Sequence, residues 1–131
     1  KDQVIFYVGP TPSKPGEVFG SGGPTTSGRM DAFAPTLIKM GLRSMIGKGY
    51  RQTNVKEAII ENNGVYFGAI GGAGAMMSNC IKKCEIIAFD DLGPEAIRRL
   101  EVENMPLVVI IDSDGNDQYI LGREDYLSTC K

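Results

Sequence analysis

The sequence predicts a single α/β domain built around a largely buried sheet, spanning residues 1–131. Short runs rich in β-branched and aromatic residues alternate with segments of helical periodicity, the pattern of strands and helices interleaved along one chain. At 131 residues with 42% hydrophobic content, the chain is long enough for one core of ordinary size. No internal repeat and no linker-like stretch divides it.

The elements follow in order. "VIFYV" (Val4 to Val8) is a continuous apolar run, expected as a buried strand. The loop "GPTPSKPGEVFGSGGP" comes next, long for a compact domain and of the kind that is often functional. A helix is expected from about "SGRMDAF", with Met30, Phe33, Leu37 and Ile38 at helical spacing, Pro35 in its first turn and a stop at Gly41. "RSMIGKG" reads as a short strand running into a glycine-flanked lysine. "TNVKEAIIENNG" reads as a helix with a cap at Thr53 or Asn54, a capping-box spacing from Asn54 to Glu57, and a terminal Gly64. "VYFGAI" is a strand, "GGAGAMMSNCIKK" a helix with a glycine-rich entry, "CEIIAF" a strand, and "GPEAIRRLEV" a short helix with Pro94 near its start. "PLVVIID" is the last long strand, which "SDGND" turns back into "QYIL" as a hairpin. The tail 123–131, "REDYLSTCK", is expected to be loose.

Composition removes several function classes. Fourteen Lys and Arg stand against sixteen Asp and Glu, interspersed, so nucleic acid is not an expected partner. No run of eighteen apolar residues points to a membrane and no signal segment to export, which sets the cytoplasm as the expected location. Cys80, Cys84 and Cys130 are an odd number without a secretory signal, and they read as reduced thiols. A zinc or iron-sulfur site needs about four ligands, and with no histidine in the chain a metal site wholly within it is not expected. A Ser-His-Asp triad is excluded for the same reason. Any acid or base must be Asp, Glu, Lys, Tyr, Cys or an activated hydroxyl.

The glycine-rich segments fail as nucleotide sites. Five residues separate Gly41 from Gly47, and Gly49 stands where a P-loop needs a hydroxyl. After "VYFGAI", Gly72 and Gly74 begin a dinucleotide fingerprint that Met77 breaks, so Asp90 or Asp91 beyond it adds little. Asp112, Asp114 and Asn116 resemble a calcium loop, but Asp117 replaces its sharp-turn glycine and Arg123 its bidentate glutamate. A plain turn is expected there.

What remains is "FGSGGPTTSGRMD" together with "MIGKG". Thr25, Thr26, Ser27 and Gly28 sit where a loop enters a helix, so amides and hydroxyls there converge on an anion. Arg29 adds a planar fork suited to a carboxylate, and Lys48 a compact positive charge. These residues describe a carboxylate pocket; they also suit a Ser/Thr helix cap, a solvated arginine and a turn lysine. Arg43, Arg51, Arg98, Arg99 and Glu103 are expected at the surface or a subunit interface.

Four motifs in fixed order, "KPGEVFGSGGPTTSGRMD", "MIGKG", "GGAGAMMSNCIKKCE" and "DDLGPEAIRRLEVENMPLVVIIDSDGND", closely resemble the beta subunit or C-terminal domain of the iron-sulfur hydro-lyases, class I fumarate hydratase and tartrate dehydratase. The resemblance runs from about Val4 to Tyr119. It implies a swivelling β/β/α-type domain that works with a larger alpha subunit, which carries a 4Fe-4S cluster on its own cysteines. It further implies reversible hydration of fumarate to (S)-malate, with tartrate dehydration or hydration of a methylated fumarate as alternatives, and a two-fold pair of alpha-beta units. The rival reading from another class is a carboxylate-binding or assembly module without chemistry. The family's beta part usually has an arginine-containing stretch ahead of the first strand, so a further N-terminal segment is expected.

By the same resemblance, Thr25 is the candidate base, with Thr26, Ser27 and Gly28 beside it on the substrate. Arg29 clamps a carboxylate, and Lys48 neutralises charge on the substrate or on the aci-carboxylate formed when the proton leaves. A threonine hydroxyl acts as a base only where cations or the substrate lower its pKa. Otherwise Thr25 holds a water or a carboxylate oxygen and the partner supplies the proton-transfer group. The choice among four-carbon substrates rests on pocket shape that the partner also builds.

Overall fold

The computed structural model describes residues 1–130. Strand β1 (Gln3–Phe6) leads through the long loop to a 3-10 turn (Ser27–Met30) and helix α1 (Ala34–Lys39). Then come β2 (Leu42–Gly47), α2 (Thr53–Glu61), β3 (Val65–Gly68), α3 (Gly74–Asn79) and β4 (Ile81–Ala88). A second 3-10 segment (Asp90–Glu95), β5 (Ile97–Val102), β6 (Val108–Ile111) and α4 (Gln118–Thr129) complete the chain. Strands and helices alternate in an α/β fold with open sheets, as the sequence pattern predicts. Among the described residues no helix is long and apolar enough to cross a membrane.

The elements gather into two compact units. Among the described residues the first comprises 1–7, 26–68 and 107–130; the second comprises 8–25 and 69–106.

In the first unit a four-stranded sheet runs in the order β1-β2-β3-β6, with β1, β2 and β3 parallel and β6 antiparallel to β3. Helices α1 and α2 pack together and enclose the core. Val55, Ala58 and Ile59 form a stripe on α2 at the three- and four-residue spacing of one helix face, and they are buried with Ile38, Met45, Tyr66 and Ile111. Pro35 lies in the first turn of α1, where its missing N–H costs no helical hydrogen bond. The helix expected from Ser27 onward is instead a four-residue 3-10 turn followed by α1. The start of α2 also differs from the capping box: Gln52 is the N-cap residue, while Asn54 accepts from the Val55 amide and donates to the Asp31 carbonyl. Asn63, at φ +51°, makes the left-handed end of α2, and the Gly64 amide reaches back to the Ile59 carbonyl at 2.8 Å.

The segment expected as a hairpin return and loose tail is α4. The Asp112 carboxylate accepts from the amides of Asp114 and Asn116 and from the Asn116 side chain, which holds its pKa below the usual range, the side-chain bond contributing most. That closes the turn. Asp117 then caps the helix, accepting from the Tyr119 amide at 3.0 Å while its other oxygen lies 2.5 Å from Lys56 Nζ.

In the second unit, Val8 bridges Pro24 and the Thr11 amide donates to the Ser21 carbonyl, so the long loop is pinned across its own width. Gly74 lies against it: a Cβ there would stand 2.3 Å from Ser21 Oγ. Strands β4 and β5 form an antiparallel ribbon, with Ile81 opposite Val102 and Ala88 opposite Ile97. "IRRLEV", expected as a helix, is β5. Gly93, at φ +57° and ψ −116°, and Pro94 break any helix before it, and pairing with β4 overrides the helix-forming residues. Likewise Ile81, Lys82 and Lys83 belong to β4 rather than α3.

Candidate functional site

The candidate site of the first unit lies just past the carboxyl end of β2, where open α/β sheets commonly place ligands. Gly47 ends the strand. A Cβ at this position would fall 1.8 Å from Ser27 Oγ, so the absence of a side chain is what lets the 3-10 turn pack here. Thr26 forms a parallel bridge with Lys48, and the Ser27 amide donates to the Lys48 carbonyl at 3.0 Å. Gly49, at φ +90°, turns the chain away; its amide donates to the Tyr119 hydroxyl and its carbonyl accepts from the Tyr66 hydroxyl at 3.1 Å. The backbone of Lys48 is thereby held on both sides while its side chain is exposed.

The predicted residues divide sharply. Thr26, Arg29 and Lys48 are exposed, and Gly28 is half-buried. Thr26 makes no capping hydrogen bond, so its hydroxyl is not a helix cap. Ser27 is fully buried, with its hydroxyl 3.0 Å from that of Tyr66 and its amide already engaged. The expected cluster of free amides at a helix start is therefore replaced by a short turn whose exposed groups are side chains. Thr25 belongs to the second unit, half-buried at the end of its first segment.

Beneath the exposed residues lies a polar scaffold that the sequence reading missed. Arg51, expected at the surface or a subunit interface, is 4% exposed and Asp31 is 1% exposed. Arg51 Nε donates to Asp31 Oδ1 at 2.7 Å, and the Gln52 amide donates to Oδ2 at 2.7 Å. The guanidinium sits against the rings of Tyr66 and Tyr7, at 4.8 and 5.4 Å from their centroids. Arg51 Nη2 and the Tyr7 hydroxyl are buried without a hydrogen-bond partner. Burial pushes the Tyr66 phenol up to about 12, against the opposing pull of its contact with Ser27 and of the Arg51 charge. Burial also raises the Tyr7 phenol, again opposed by Arg51. A signal was available in part: Asp31 follows the glycine-rich turn directly, and Arg51 follows "MIGKGY".

In the second unit a hollow of about 770 Å³ lies over β4 and β5, lined by Lys82, Lys83, Glu85, Arg99 and Glu101 among others. No predicted site residue lines it. Cys84 also borders it, and burial raises its thiol pKa. Cys80 Sγ rests on the carbonyls of Met76 and Asn104. Among the described residues no three His, Cys, Asp or Glu side chains gather as metal ligands, and the cysteines here do not fit an iron-sulfur cluster.

Comparison with known proteins agrees with the sequence resemblance. The chain is 42% identical over 119 residues to "Fumarate hydratase 1, mitochondrial" of Leishmania major, covering 89% of this chain and 22% of that protein. It is 40% identical over 119 residues to "Fumarate hydratase class I, aerobic" of Escherichia coli, again covering 89% and 22%. It is 36% identical over 124 residues to "Putative L(+)-tartrate dehydratase subunit beta" of Methanocaldococcus jannaschii, covering 90% and 64%. The chain thus spans about a fifth of the length of the fumarate hydratases it matches. The family model described as "Fumarase C-terminus" matches residues 1–121, and the chain belongs to that family.

Proposed function

We propose that this chain is the beta part of a class I type hydro-lyase that hydrates fumarate reversibly to (S)-malate, active only together with a cluster-bearing alpha part. The observation that supports it most is the backbone lock between Thr26 and Lys48 at the carboxyl end of β2, which holds two exposed residues at paired backbone positions in a chain about 40% identical to fumarate hydratases. The second reading, tartrate dehydration, draws on the match that covers 64% of a protein named as a tartrate dehydratase beta subunit.

In this reading each exposed group has a task. Arg29 offers a planar pair of donors to one carboxylate of the substrate, while Thr26 fixes its orientation. Lys48 lowers the energy of the dianion that forms when the proton leaves the carbon beside the other carboxylate. Thr25 takes that proton or holds the group that does. Ser27 and Gly28 shape the floor on which these side chains stand. In this reading the 4Fe-4S cluster is held by the alpha part, and the lack of a gathered ligand set among the described residues is consistent with that. The assembly is a two-fold pair of alpha-beta units.

The test is anaerobic turnover of fumarate by this chain with its cluster-bearing partner, each alone as the blank. Turnover only in the mixture supports the reading, and Arg29→Lys and Lys48→Ala are each expected to reduce kcat/KM on the order of 10²-fold or more. Turnover of tartrate instead of fumarate moves the chain to the sister activity. Inactivity toward both, with the partner's cluster intact, overturns the enzyme assignment and leaves a carboxylate-binding or assembly module.

A further inference from the structure

The Asp31–Arg51 pair has no place in the chemistry just described, and stability alone is a poor reason for it. Taking two charges out of water costs several kcal/mol per ion, and well-packed apolar residues often do as well or better. Its connections show what it does. Asp31 holds Arg51 through one oxygen and the Gln52 amide through the other, and its carbonyl accepts from the Asn54 side chain at 3.0 Å. Arg51 Nη1 lies 3.4 Å from Met45 Sδ of β2, and the guanidinium is stacked on Tyr66, whose hydroxyl touches both Ser27 and Gly49.

These contacts join the turn that carries Arg29, the loop that carries Lys48, the strands under them and the first turn of α2. Arg29 stands two residues before Asp31, and Lys48 three residues before Arg51. Neither segment is regular enough to hold itself: one is a four-residue 3-10 turn, the other the connection from β2 to α2. We propose that the buried Asp31–Arg51 pair is a positioning device that fixes the Arg29 turn against the Lys48 loop, so that their two cations engage one dianionic ligand. Asp31 and Arg51 are positioning residues, too buried to touch the ligand themselves. This inference rests on the assignment of Arg29 and Lys48 to dicarboxylate binding.

The test separates positioning from stability. In Asp31→Leu/Arg51→Met, made in the full chain and assembled with its partner, no charge is left unpaired, and the fold is expected to survive. The positioning bonds are gone. The expected result is a KM raised roughly tenfold or more and a kcat/KM lowered on the order of 10²-fold, as misplacement of about 1 Å produces. Amide hydrogen exchange is expected to speed up selectively at Ser27 and Gly49, while the amides of β2 and β3 keep their protection. A folded double variant with wild-type KM and unchanged exchange at Ser27 and Gly49 overturns the inference.

Should the double variant fail to fold, Arg51→Lys serves, since it keeps the charge but loses the fork. There too a raised KM with a retained fold supports positioning, and an unchanged KM overturns it. If the wild-type assembly turns over neither fumarate nor tartrate, the substrate assignment fails. The exchange pattern then decides the positioning role by itself.

Discussion

Substitution of Gly47 by alanine tests the packing on which the whole candidate site stands. Gly47 has no left-handed backbone angle to protect, so alanine brings no conformational strain of its own in this strand. The cost is steric. The new methyl group would meet Ser27 Oγ at 1.8 Å and Tyr7 Cδ2 at 3.2 Å, and Ser27 is fully buried. Rotating the serine hydroxyl away separates it from the Tyr66 hydroxyl, a loss of about 1 kcal/mol. Shifting the turn and the Tyr7 ring costs about 1–3 kcal/mol more. For 131 residues the unfolding entropy near the midpoint is about 0.28 kcal/mol/K, so a loss of about 3 kcal/mol lowers Tm by about 10 °C.

Thermal unfolding followed by circular dichroism measures this directly, with Ser27→Ala as the second arm of a double-mutant cycle. In the Gly47→Ala/Ser27→Ala variant the 1.8 Å contact disappears and a 3.2 Å contact with the Ser27 Cβ remains, so at least half of the lost stability is expected to return. A Gly47→Ala variant that melts within about 2 °C of the wild type would refute the close packing of strand end against turn, and with it the geometry given for Lys48.

Two further outcomes follow from the buried polar groups. Asp117→Ala removes the α4 cap and the partner of Lys56, and about 1–2 kcal/mol of stability is expected to go with it, read as a lower Tm with reduced helical signal. Tyr66 has a folded pKa raised by burial from 10.0 to about 12, so it stabilises the fold fully below pH 10 and loses that contribution as pH rises toward 12. The loss is roughly 2–3 kcal/mol over that window, and Tyr66→Phe is expected to show a correspondingly shallower alkaline fall in Tm; equal slopes would contradict a neutral buried phenol.

The parts of the fold that were legible in the sequence are those set by local pattern. Val55, Ala58 and Ile59 mark a helix face by spacing alone, and "RSMIGKG" shows both the strand and the lysine at its end. Three features were hidden, two because something distant decides them and one because local side-chain bonds compete with the hairpin signal. "IRRLEV" is made of good helix formers, and only its partner strand β4 makes it extended. "SDGND" carries a hairpin dipeptide, yet Asp112 and Asp117 turn it into a helix start by bonds to amides within the same few residues. Arg51 is a lone charged residue in a polar stretch, and its burial follows from Asp31, twenty residues earlier. At the candidate site the residue types proposed for chemistry were therefore visible in the sequence, while the buried structure beneath them was not.

That division gives a means of telling site from scaffold by measurement. Thr26, Arg29 and Lys48 are exposed, so replacing them removes little packing and is expected to change stability by no more than about 0.5 kcal/mol. Under the proposed function their effect is expected in KM and kcat. Ser27, Asp31, Gly47, Arg51 and Tyr66 are buried, and their single substitutions change stability first, with activity following only as far as the Lys48 loop moves. An exposed residue that lowers Tm strongly, or a buried one whose loss changes kcat/KM at constant stability, would have crossed from one group to the other. The Asp31–Arg51 pair is the one place where crossing is expected, because there burial and positioning are the same set of bonds.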